Sequence, residues 1–175
     1  MRIGLLLCTS MIVWGCSQAS QSPVAGDEVV TAVAAFKTQL QAELKAGMAQ
    51  GPEHAITVCR DRAPRIAAES GTADLWLGRT SAKVRNPRNA PVVWLEPMLE
   101  HYAGHPEDRA PRVVRLPDGA TGYVEPIYMQ PICLVCHGEK VAPDVSRKLA
   151  ELYPDDRATG YRAGDFRGVF WAVKR

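Results

Sequence analysis

Residues 133–137 read Cys-Leu-Val-Cys-His, and this run constrains the chain more than any other. Two thiols separated by two residues and followed at once by an imidazole form the signature of c-type haem attachment. The thiols form thioethers to the two haem vinyl groups, and the adjoining histidine is held under the iron as its proximal ligand. The expectation is a chain folded around one covalently attached haem, held by Cys133 and Cys136 and ligated by His137. With 5 cysteines and 4 histidines in 175 residues, the run is a strong signal rather than a chance spacing.

Two other chemistries use similar residues. A thioredoxin-like redox pair opens a helix after a buried strand, but Pro126 and Pro131 precede Cys133 and fit that setting poorly. A Cys₃His zinc site could combine Cys59, Cys133, Cys136 and His137. Adjacent cysteine and histidine residues seldom reach one tetrahedral ion together. Haem is therefore the expected cofactor, and a structural zinc lipoprotein is an alternative.

The N-terminus carries an expectation about the compartment. Arg2 precedes an apolar core from Ile3 to Trp14, the charged-then-apolar order of a secretory signal, too short to span a bilayer comfortably. Val13-Trp14-Gly15-Cys16 then resembles the lipobox of bacterial lipoproteins, with Cys16 as the lipidated residue. A signal peptide over 1–15, a polar tether over 16–26 and a single domain over 27–175 follow. The alternatives are a non-cleaved anchor or an ordinary signal cut near Ala19. Ser17 after the cysteine, in place of Asp, points to the outer membrane. The expected location is the periplasmic side of the envelope, which agrees with attachment of haem c outside the cytoplasm.

Composition excludes other classes. Hydrophobic residues make up 46% and charged residues 23%, ordinary for a globular chain. A net charge of +2 gives no nucleic-acid footprint, and no nucleic-acid partner is expected.

From Asp27, a candidate N-cap, Val29, Val33, Phe36, Leu40 and Leu44 form one helical stripe that Gly47 or Gly51 ends. A second helix starts at Pro52 and carries Ala55, Ile56 and Cys59 on one side, and Pro64–Ser70 continues as helix. Residues 75–84 read as strand. Asn89 and Pro91 resemble the start of a short helix that Pro97 strains or ends. Val113–Leu116 and Tyr123–Met129 read as strands joined through Pro117-Asp118-Gly119. Val145–Tyr153 reads as helix and Gly168–Lys174 as a last strand. Helices first and strands later predict an α+β fold with an antiparallel sheet.

The iron's other face has several candidates: Cys59, His54, His101, His105, Met48, Met98 and Met129. A methionine is the familiar partner in electron-transfer cytochromes. His101 and His105 are four apart, but Gly104 and Pro106 break that spacing's helix and favour a solvated surface. A free cysteine such as Cys59 is ordinarily a small buried hydrophobe.

Several segments together resemble the bacterial c-type haem domain with a PAS-like fold, a family long catalogued as a domain of unknown function. The matching pieces are AITVCRDRAP around Cys59, Gly78-Arg79-Thr80-Ser81, Arg85-Asn86-Pro87, Asn89-Ala90-Pro91 and Glu125-Pro126-Ile127. Tyr153-Pro154, Ala158-Thr159-Gly160-Tyr161 and Gly164-Asp165-Phe166-Arg167-Gly168 complete a resemblance over residues 28–175. It implies a PAS-like antiparallel sheet flanked by helices, with a long N-terminal amphipathic helix. It also implies an unusual Cys–His axial pair, with His137 proximal and Cys59 distal. Arg79 and Arg85 are candidate partners for the haem propionates, since the arginine fork matches a carboxylate.

A thiolate on iron favours the ferric state and lowers the potential, and its loss on reduction would open a site for CO or NO. The expected function is electron transfer, or redox or gas sensing, with a separate redox or signalling protein as partner and the membrane reached through lipid. No nucleophile–base–orienter set stands out, so no catalytic residue and no enzyme activity are expected. A small haem peroxidase is the alternative from another class.

Overall fold

The computed structural model describes residues 25–175. The signal segment, Cys16 and most of the tether lie outside the described residues. Among the described residues, no helix is long and apolar enough to cross a membrane.

The stripe read from the sequence forms α1, Ala25–Ala49. Val29, Val33, Phe36 and Leu40 are all buried, between 0% and 8% exposed. Burying each is worth about 2 kcal/mol, so this face anchors the helix. Asp27 does not cap it. The helix begins two residues earlier, and Asp27 sits in its first turn, where the helix dipole favours an acid. Nor does Gly47 end it. A Cβ there would stand 2.9 Å from Ala55 Cα, so the missing side chain lets the next helix approach closely. That helix, α2, spans Pro52–Asp61, and α3 spans Ala63–Ser70 with Pro64 in its first turn.

The strands are β1 (Leu75–Thr80), β2 (Arg112–Arg115), β3 (Thr121–Tyr128) and β4 (Phe166–Lys174). They form one antiparallel sheet in the order β1-β4-β3-β2. Side chains alternate between its faces. Leu75, Leu77, Tyr123, Phe170 and Ala172 meet α1 and α3 on one face. On the other, Val124, Val169 and Trp171 meet Leu99 and Tyr102 of α4, Glu96–Gly104. The α+β expectation is met.

Two local readings are corrected. Pro97 lies in the first turn of α4, where a missing N–H costs nothing, and so starts the helix instead of straining it. Asn86, not Asn89, does the capping. Its side chain accepts from Arg88 N–H at 3.0 Å and starts a 3₁₀ turn over Pro87–Asn89.

Candidate functional site

A cavity of ≈ 230 Å³ opens between α2, the α1 face of the sheet and the segment carrying Cys133 to His137. Cys59, Cys133, Cys136 and His137 all line it. Apolar walls come from Phe36, Ile56, Ile127, Met129 and Phe170.

Cys133 ends a 3₁₀ turn, Pro131–Cys133, that runs into a one-turn helix α5, Leu134–His137. This tight winding brings both thiols and the imidazole to the same cavity. Burial, the largest influence, pushes the Cys136 thiol above its ordinary value. A redox-active dithiol is activated by the opposite shift. Cys59 enters from α2, whose neighbouring Ala55 and Ile56 are buried and fix that face inward.

His137 is held by backbone. Its Nδ1 lies 2.6 Å from the carbonyl oxygen of Ala158. A carbonyl only accepts, so Nδ1 carries the proton and Nε2 keeps its lone pair for a metal. Gly138 and Tyr161 form a parallel bridge that ties the two segments, with Tyr161 N–H donating to His137 O at 3.0 Å. Burial first, then the cations of Arg85 and Arg167, push the imidazole pKa down to about 3. The ring is neutral across the physiological range, as a ligand must be.

The Ala158 carbonyl is itself braced. Ala158 N–H donates to Asp156 Oδ1 at 2.7 Å, and Arg85 Nε donates to Asp156 Oδ2 at 2.9 Å. Arg85 Nη2 also donates to the carbonyl oxygens of Cys136 and Ala158. Arg85 thus joins the segment before the histidine to the segment that orients it. Asp156 is a site residue that reading the sequence missed; a lone acid in a loop gives no signal.

Arg79 follows Leu75 and Leu77 along β1 at a period of two and so lines the cavity. Arg167 reaches it by a different route, and it too was missed. Ile127 pairs with Gly168 and Tyr128 with Phe166, leaving Arg167 unmatched in a β-bulge. The extra residue flips the strand's phase: Phe170 packs toward α1, whereas Phe166 packs toward α4. Gly168 has φ +150°, and a Cβ there would meet Thr80 O at 2.2 Å. Only glycine permits this approach.

Among the candidates for a sixth ligand, Cys59, Met48 and Met129 line the cavity. His54 is exposed, and Met98 packs on the α4 side of the sheet. His101 bonds Asp108 at 2.8 Å on the surface, with His105 beside it. Among the described residues, no group of three His, Cys, Asp or Glu side chains could hold a metal ion without a cofactor. Cys133 and Cys136 could hold a haem through its vinyl groups, and His137 could ligate its iron.

No curated protein matches the sequence. The crystal structure of the cyanobacterial heme-protein Tll0287 is similar, with a TM-score of 0.69 and 27% identity over 88% of this chain and 96% of that one. The model of Tll0287-like proteins matches residues 18–173, nearly the whole length, and the chain belongs to the Tll0287-like family.

Proposed function

We propose that this chain is a lipid-anchored, single-haem c-type protein of the cell envelope that transfers electrons or senses redox state or gas. The observation that carries the reading is the state of His137. Its Nδ1–H is committed to Ala158 O, its ring is neutral, and two thiols at thioether spacing share its cavity. The similarity to a heme-protein supports the same cofactor.

Haem bound there supplies a one-electron couple between ferric and ferrous iron. The chain's residues set the terms. Cys133 and Cys136 fix the cofactor in place. The Ala158 carbonyl holds the imidazole in one tautomer and one orientation, as outer partners of metal-bound histidines do. Cys59 would hold the iron from α2, and as a thiolate its charge would be compensated by ferric iron more than by ferrous iron. The apolar walls lower the local dielectric and would strengthen that preference. Cys16 carries the anchor, and a separate redox or signalling protein is the partner.

Protein produced with c-type maturation factors tests the reading through oxidised and reduced spectra and a pyridine haemochrome assay. Covalent haem, with a low-spin ferric spectrum that changes in Cys59→Ala, is expected. Low-spin haem unchanged by that substitution would transfer the sixth position to Met48 or Met129. A colourless product would sink the haem reading.

A further inference from the structure

Among the described residues, three guanidinium groups line the cavity, from Arg79, Arg85 and Arg167, and no aspartate or glutamate does. Their commitments differ. Arg85 is consumed by Asp156 and by two backbone carbonyls. Arg167 uses one nitrogen, Nη1, on neutral oxygens: Ser81 Oγ at 2.5 Å and Lys83 O at 3.2 Å. Ser81 Oγ in turn donates to Lys83 O at 2.7 Å, so this arm of the fork is held from behind. The side chain of Arg79 has no hydrogen bond or ion pair to any described residue. After Asp156 has neutralised Arg85, two positive charges remain in an apolar cavity wall.

The side chains of Arg79 and Arg167 are both partly buried, and a charge drawn away from water without a counter-charge is unfavourable. The bulge in β4, with Gly168 beside it, presents the second of these charges to the cavity. We infer that Arg79 and Arg167 together clamp the two carboxylates of a dianionic ligand, the propionates of the bound haem, while Arg85 is a positioning residue for His137. The inference rests on the haem reading proposed above. It changes the assignment drawn from the sequence, which paired Arg79 with Arg85. Burial and the repulsion of Arg79 and Arg85 pull Arg167 below its ordinary pKa, as expected of a cation awaiting its counter-charge.

The test uses the haem-loaded protein, with reduction midpoints from spectroelectrochemistry and the propionate bending band from resonance Raman spectra. A nearby cation favours the reduced, less positive centre, so Arg167→Met and Arg79→Met should each lower the midpoint. The expected shift is three- to tenfold in the oxidised-to-reduced ratio, tenfold being about 59 mV for one electron. Both should move the propionate band. Arg167→Lys, which keeps the charge, should hold the ratio within twofold while still moving the band. Arg85→Met should leave the band in place and lower the unfolding midpoint instead.

If Arg167→Met and Arg79→Met retain haem with the wild-type midpoint and band, the clamp is wrong. Should Arg167→Met fail to fold, Arg79→Met and Arg167→Lys carry the decision, since the Arg79 side chain makes no hydrogen bond or ion pair to a described residue that its loss would break. A wild-type protein without haem would overturn the haem reading itself and the clamp with it.

Discussion

Replacing Asp156 with alanine isolates the brace behind His137. Asp156 and Arg85 form an ion pair in which the side chains are 10% and 13% exposed. Leaving one member of such a pair buried and uncompensated costs about 3–5 kcal/mol. Arg85 would keep its bonds to the carbonyls of Cys136 and Ala158, which places the loss near the lower end. The Ala158 amide would also lose its acceptor, at about 1 kcal/mol. The expected destabilisation is about 4 kcal/mol, or roughly 10 °C in Tm for a domain of this size. Urea unfolding followed by circular dichroism reads it. Asp156→Asn keeps an acceptor for Ala158 N–H but not the charge, and should lose about half as much. The Arg85→Met/Asp156→Ala double variant separates pairing from bulk. If the two groups act as a pair, the double variant costs at least 2 kcal/mol less than the sum of the single changes. An Asp156→Ala protein within 1 kcal/mol of wild type, or strict additivity, would refute the brace.

Two further outcomes follow from the same geometry. Gly168→Ala puts a Cβ 2.2 Å from Thr80 O at a φ that side chains rarely adopt, so β1 and β4 must separate. A loss of roughly 3 kcal/mol is expected in denaturant unfolding, and a neutral result would show that the bulge is not held as described. Before haem is attached, stability should also depend on acid. His137 has a folded pKa of about 3, below the 6.5 of the unfolded chain, so between these values the unfolded chain binds the extra proton. Stability is therefore complete above pH 6.5 and falls as pH drops toward 3. Down to pH 5, above the range where carboxylates titrate, the loss should be about 2 kcal/mol. Unfolding midpoints unchanged between pH 7.5 and 5 would contradict a neutral, buried His137.

What could be read from the sequence was whatever repeats or is spaced. The α1 stripe was visible because four buried side chains recur at helical spacing, and the motif over Cys133–His137 because its chemistry requires adjacent residues. Proline was ambiguous at Pro97, since the same missing N–H can close one helix or open another. Asn86 and Asn89 have equal capping capacity in isolation, and the turn's packing selects between them. Arg167 was hidden for a sharper reason. Alternation along β4 counts residues in twos, and the bulge adds one without marking it in the pattern. The Ala158 carbonyl carries no signature at all, because every residue has one.

These hidden parts explain how the site depends on the fold. Cys59 comes from α2, Arg79 from β1, His137 from α5, and Arg167 from β4. Arg85 and Asp156 are separated by 71 positions, and Arg167 and Ser81 by 86. None of these contacts can form locally, so each appears only when β1 has paired with β4 and the segment around Ala158 has docked on α5. The Cys-x-x-Cys-His run, by contrast, is complete in any conformation and can present its thiols before the rest is assembled. On the proposed reading, covalent attachment of haem needs only these five consecutive residues. The orientation of His137 and the charge around the cavity need the whole sheet, and control of the cofactor belongs to the fold, not to the motif.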